Sequence, residues 1–148
     1  MVGLGAALRY RAIPWLAFEG GLNVAAGRDY YAQRRTEVAG TITSMVFFNP
    51  QHRVQVYGVG GLLWAGASLR DVYGYEYMSY SYFGGLVGAG LEARINPRLA
   101  INGDYRVFLR TRTDAAAAYS PEFYNPTTGR TSNTSAAGYF NVGVTLYF

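Results

Sequence analysis

Apolar and polar residues alternate with a period of two along most of this chain, which confines the fold to strands with two chemically different faces. Segment 99–112 shows the pattern most clearly. Leu99, Ile101, Gly103, Tyr105, Val107 and Leu109 fall on one face, and Asn102, Asp104, Arg106, Phe108, Arg110 and Arg112 on the other. The ending 139–148 repeats it, with Phe140, Val142, Val144, Leu146 and Phe148 set against Tyr139, Asn141, Gly143, Thr145 and Tyr147. Segments 2–11, 16–26, 35–48, 53–67 and 82–94 behave alike. Each is as long as the roughly 9–11 residues that a tilted strand needs to cross a bilayer.

The connections alternate in length. Short turns are expected at 12–14, 49–52 and 96–98, each with a proline whose fixed φ suits a turn. Longer polar connections are expected at 28–34, 68–81 and 113–135. Tyr73, Tyr75 and Tyr77 keep the alternation going, so the second of these reads as a hairpin projecting beyond a membrane. The third carries Pro121, Asn125, Pro126 and Gly129, lacks alternation and reads as an irregular, mobile loop.

The same alternation serves a soluble barrel with its apolar face inside or a membrane barrel with that face outside. Charge decides between them. Glu19, Glu37, Glu92 and Asp104 share one face with Arg9, Arg94, Arg106 and Arg110, a balance expected of charges paired in a narrow lumen. The opposite face is almost free of charge along every strand, and a soluble barrel exposing it would aggregate. In lipid an arginine on that face costs about 2–4 kcal/mol near mid-bilayer. Tyr10, Trp15, Phe48, Trp64, Phe83 and Phe148 lie near strand ends, where aromatic girdles meet the two membrane interfaces.

Composition agrees. The 148 residues allow one domain (1–148), and only 15% are charged, where about a quarter is usual for soluble domains. No run approaches the roughly 20 apolar residues of a membrane-spanning helix. The net charge of +4 comes from arginine alone, and the arginines alternate with apolar residues instead of forming a patch, which argues against nucleic acid as a partner. Cysteine is absent, which removes disulfides and thiolate chemistry. No signal-like segment opens the chain, so it reads as the mature form of an exported protein.

The ending, apolar at Phe140, Val142, Val144 and Leu146 and finishing in Phe148, resembles the C-terminal signature of outer-membrane proteins. The layout as a whole resembles the OmpA/OmpX-like family of small eight-stranded outer-membrane barrels. That resemblance implies an all-β, antiparallel transmembrane β-barrel in the bacterial outer membrane, short turns on the periplasmic side, and recognition of the last strand by the barrel-assembly machinery. The partners expected are therefore the lipid bilayer and that machinery.

Seven strands are legible, and seven do not close in the usual way. The first and last would run in the same direction, leaving edges whose unpaired backbone groups cost several kcal/mol each in lipid. The leading expectation is an eight-stranded type whose first strand is missing from this chain. The alternatives are a true seven-stranded barrel, or a strand supplied by a partner or oligomer.

Candidate chemistry is sparse. His52, the only histidine, stands in a short turn, and Ser44 lies a strand away from any base, so a nucleophile–base pair is not expected. Gly60-Gly61 and Gly84-Gly85 lack the lysine and helix of a phosphate loop. No metal, cofactor or catalytic set is expected. The function expected is a plugged polar barrel, structural or acting through its long outer loops. A small pore stands second and a lipid-modifying enzyme third.

Overall fold

The computed structural model describes residues 2–28, 34–70, 76–121, 123–125 and 129–147. Seven strands form one sheet: β1 (Val2–Ile13), β2 (Leu16–Arg28), β3 (Arg34–Phe47), β4 (Val54–Arg70), β5 (Glu76–Asn96), β6 (Leu99–Arg112) and β9 (Thr134–Leu146). A 3-10 helix, Ala115–Ala118, and a hairpin of β7 (Phe123–Asn125) and β8 (Arg130–Ser132) lie between β6 and β9. The hairpin turn uses Gly129 at a φ of +67°, a left-handed conformation that glycine adopts without a Cβ clash.

All neighbouring strands are antiparallel, in the order β1-β2-β3-β4-β5-β6-β9. Each short connection holds its register locally. Asn49 Nδ2 donates to Val54 O (2.8 Å) and its Oδ1 accepts from Val56 N (2.6 Å), which closes the β3–β4 turn with one side chain. The β5–β6 turn is held by Arg98 N donating to Asn96 Oδ1 (2.8 Å).

Alternation places apolar residues outward. Leu4, Leu8, Leu22, Ile42, Val87, Leu109 and Val142 are all exposed, with Leu4 at 87% and Leu8 at 82%. Water would not tolerate this face, and hydrocarbon solvates it. The inward face is more mixed than the polar interior expected from sequence. Met45, Phe47, Tyr57, Val59, Leu63, Leu86 and Ala17 form a buried apolar cluster beside the charged groups. A lumen of this width is filled by side chains, so apolar residues at inward parity pack against each other there.

Two expectations about the connections are corrected in their bounds. In segment 68–81, read as a hairpin that keeps the alternation going, the strands take up more of the segment than the connection bounds allowed: β4 continues to Arg70 and β5 begins at Glu76, with ladder pairs such as Ser68↔Ser79. Tyr73 and Tyr75 lie outside the described residues. Segment 113–135 contains the 3-10 helix and the β7–β8 hairpin, and β9 starts at Thr134, ahead of the strand expected from 139. Small residues such as Ala136, Ala137 and Gly138 hide the period there, and pairing with Val107–Thr111 of β6 imposes it. For segment 28–34, residues 29–33 lie outside the described residues.

Three glycines make room for aromatic rings, Gly138 for Tyr105 among them. Trp64 of β4 lies over Gly40 on the outer face, and a Cβ at Gly40 would run into the indole. Inside, Gly90 leaves space for the Tyr57 ring and for Asp104. Gly66 has open space where a Cβ would stand. Gly90→Ala is therefore expected to destabilise the folded protein by about 1–3 kcal/mol through overpacking, and Gly66→Ala to change it little. Urea unfolding followed by tryptophan fluorescence reads both, and equal effects would contradict the packing account.

Candidate functional site

The sheet curls far enough for inward side chains to meet across the lumen. Arg9 of β1 bonds Glu19 of the adjacent β2 through Nη2 (2.6 Å) and Nε (3.1 Å), and reaches Glu92 of β5 through Nη1 (2.7 Å). Arg106 of β6 bridges Glu19 (2.9 Å) and its own-strand neighbour Asp104 (2.8 and 3.0 Å). Tyr57 of β4 donates to Asp104 Oδ2 (2.7 Å), the oxygen that also accepts from Arg106 Nη2. The Tyr147 hydroxyl lies 2.7 Å from both oxygens of Glu92.

The result is one connected network in which each carboxylate meets at least one guanidinium and, for Glu92 and Asp104, a phenol. Glu92 is fully buried and Asp104 nearly so. Unpaired charges at such sites would cost several kcal/mol each, and the bidentate geometry of arginine offsets that cost.

A second group lies nearer the long loops. Arg110 pairs with Glu37 through both guanidinium nitrogens, the longer contact being 3.1 Å, and its Nε donates to Ser135 (3.2 Å). Arg35 reaches Glu37 (3.3 Å) and the Tyr82 hydroxyl (3.1 Å), and both Arg35 and Arg110 stack on the Tyr82 ring.

The eight charged residues expected to share the lumen therefore divide. Arg9, Glu19, Glu92, Asp104 and Arg106 form the central network, and Arg110 with Glu37 the loop-side group. Arg94 stands apart. Its Nε is 3.6 Å from Glu92, and its guanidinium stacks on Tyr147 without a hydrogen bond among the described residues. Tyr57, Tyr82 and Tyr147 were absent from the expected set. Their inward parity is legible, but not that Tyr57 and Tyr147 meet carboxylates and Tyr82 the guanidinium groups of Arg35 and Arg110.

Tyr10, Trp15, Phe48, Trp64 and Phe83 are all outward and solvent-exposed. Tyr10, Trp15 and Phe48 lie toward the short turns, while Trp64 and Phe83 are paired nearer the loops. Phe48 bonds at the level of Val56, and from Val56 to Trp64 the chain rises about 26 Å at roughly 3.3 Å per residue. At the roughly 35–45° tilt of such strands this is about 20 Å along the membrane normal, somewhat less than the ~25 Å apolar band of an outer-membrane barrel. Phe140, Val142, Val144 and Leu146 face outward on β9, and Phe148 lies outside the described residues.

At the loop-side rim, Asp114 is clamped by Arg112 (2.6 and 2.7 Å) and accepts from Ser81 N (3.4 Å), which ties the start of the β6–β9 connection to β5. Hydrogen bonding to the Arg112 guanidinium holds the Asp114 carboxyl down at about 2, below its ordinary 3.8. A carboxyl lowered on folding contributes its stability above its unfolded pKa, and that contribution is lost as pH falls through the folded value. The tether is expected to hold at pH 4 and loosen toward pH 2. A carboxyl-carbon NMR titration checks this, and a midpoint near 3.8 would show that Arg112 does not hold Asp114.

β1 and β9 form the two edges of the sheet and run in the same direction. They flank one cleft of about 740 Å³ between Leu4–Tyr10 and Phe140–Leu146, floored by Arg9, Glu19 and Arg106. No group of three or more potential metal-ligating side chains occurs among the described residues.

No curated protein matches the chain significantly. Among solved structures it resembles the crystal structure of Neisserial surface protein A (NspA), with a TM-score of 0.66 and 16% sequence identity. The likeness covers 99% of this chain and 83% of that one, and at this identity it speaks for the fold. The family described as outer membrane protein beta-barrel domain matches residues 1–148. With its apolar exterior and charged lumen, the chain belongs to that family, a multi-pass β-barrel protein of the bacterial outer membrane.

Proposed function

We propose that this protein is a side-chain-plugged barrel whose role is exercised by its long loops at the cell surface, rather than a channel or an enzyme. The observation that carries the reading is the network of Arg9, Glu19, Glu92, Asp104 and Arg106, which crosses the lumen with the Met45–Tyr57–Leu86 apolar cluster packed beside it. A pore needs continuous water, and this cross-section is occupied by paired charges and packed side chains. The enzyme reading has less support. His52 sits in the β3–β4 turn with its amide bonded to Asn49 O (3.2 Å), whereas Ser44 lies on an outward position of β3. In this reading the short turns are periplasmic, and the outward residues of β9 are what the barrel-assembly machinery reads.

The barrel as it works in the membrane has eight strands. β1 and β9 run in the same direction, so a strand lying between them must run antiparallel to both. A segment preceding β1 and joined to it by a hairpin has that direction. Hydrocarbon supplies no partners for the outer edges of β1 and β9, and an added strand satisfies both rows at once.

Two measurements test these readings. The protein reconstituted in planar bilayers is expected to give no steady single-channel current, and a sustained current would displace the plugged barrel. For the eighth strand, cysteine pairs are placed at outward positions of β1 (Leu4, Leu8) and β9 (Phe140, Val142, Val144) in the protein as assembled in the outer membrane. With a strand between them, backbones two spacings of about 4.8 Å apart are beyond the roughly 4.4–6.8 Å that a disulfide spans. The pairs are expected to stay reduced under mild oxidation. An intramolecular disulfide would show that β1 and β9 meet directly.

A further inference from the structure

The two ends of the barrel differ in charge. Near the short turns stand Arg11, Arg53, Arg94 and Arg98, and among the described residues the only side-chain carboxylate at that level is Glu92, already engaged by Arg9 and Tyr147. A recess of about 420 Å³ opens there, lined by Arg11, Arg94 and Tyr147 and rimmed by Pro14, Pro50 and Pro97, one proline from each short turn.

Both lining arginines are held in place, and the unpaired donors Arg11 Nη1 and Arg94 Nε are themselves buried, which leaves the exposed part of the Arg94 guanidinium as the group that faces the recess. Arg11 bonds Pro14 O through Nε (3.0 Å) and Nη2, bonds Gln55 Oε1 (3.0 Å), and stacks 4.1 Å over the Phe47 ring. Its Nη1 has no hydrogen-bond partner among the described residues and is 3.8 Å from Glu92. Arg94 stacks 5.0 Å over the Tyr147 ring, and its guanidinium makes no hydrogen bond among the described residues. It is also the more exposed of the two, with 29% of its side chain open.

Guanidinium groups fixed on aromatic faces lose little freedom on binding, and their planar forks suit tetrahedral oxyanions. Two of them beside one shared carboxylate leave a local excess of positive charge. We propose that this recess is a phosphate-binding site, with Arg94 as its principal contact and Arg11 as the second cation. Exposed Trp15, Phe48 and Ile95 mark the same end as lying close to a membrane interface, where phosphate groups are abundant. The phosphate is either that of a phospholipid headgroup folded over the turns or a free phosphate in the aqueous compartment.

The test uses the folded protein in zwitterionic micelles, titrated with inorganic phosphate and observed by ³¹P NMR. In parallel, the protein is reconstituted into vesicles with and without phosphatidylglycerol, and retention of that lipid is measured. Arg94→Gln is expected to weaken phosphate binding, or lipid retention, at least tenfold. Arg112→Gln at the opposite end is expected to leave both unchanged. Circular dichroism confirms that each variant is folded, and Arg94→Lys serves as a second variant that keeps the charge and is expected to recover part of the affinity. Phosphate binding lost in Arg94→Gln identifies the free anion. Lipid retention alone, lost in the same variant, identifies the headgroup. Absence of both, or binding indifferent to Arg94→Gln, would overturn the site.

Discussion

Hydrocarbon offers no hydrogen-bond partners, so each amide and carbonyl within the membrane must be satisfied by the protein itself. Six antiparallel ladders do this for the interior strands here. The same demand fixes the side-chain code. A paired strand in lipid has one face against acyl chains and one against the lumen, which produces the strict alternation of residues such as Val107 and Leu109 with Arg106 and Arg110. The open edges of β1 and β9 are where the demand is left unmet within the sheet.

This explains what could be read in advance. Strand positions, face assignments and the short turns were legible because lipid outside and a narrow lumen inside leave almost no latitude at each position. Proline at 14, 50 and 97 marked the turns because its geometry is fixed locally. Illegible features were those set by contact across the fold. The 3-10 helix at Ala115–Ala118 has no pattern of its own, with no buried residues and no side-chain cap. The first residues of β9 are small and take their conformation from β6. Inward apolar residues such as Met45 and Leu86 had the right parity, but attention to charge alone gave a picture of the lumen that was too polar.

Within the lumen, parity placed the charges and could not choose their partners. Arg9 and Arg94 have the same inward placement and lie near the same carboxylate, yet Arg9 is bonded to Glu92 at 2.7 Å and Arg94 is not hydrogen-bonded to it. The difference follows from the curl of the sheet, which brings β1 opposite β5 and so sets Arg9 facing Glu92. Arg94, on the same strand as Glu92, reaches it only along the strand. No property of the sequence near residue 94 encodes that outcome.

Such pairing bears on why the lumen contains charges at all. A purely apolar lumen would fill the same space with less desolvation cost, and buried ion pairs are weak contributors to net stability. Register gives them a use. Slipping one strand by a single residue turns every inward side chain outward, and an apolar residue turned either way still finds a tolerable environment in this protein. A slipped Arg106 or Glu19 does not, because it would face acyl chains without a partner. The pairs Arg9–Glu92 and Arg106–Glu19 join strands that are not neighbours in the sheet, so they test the curl as well as the register. The charged lumen thus penalises wrong pairings more than it stabilises the right one, as a chain assembling in a membrane with an apolar exterior requires.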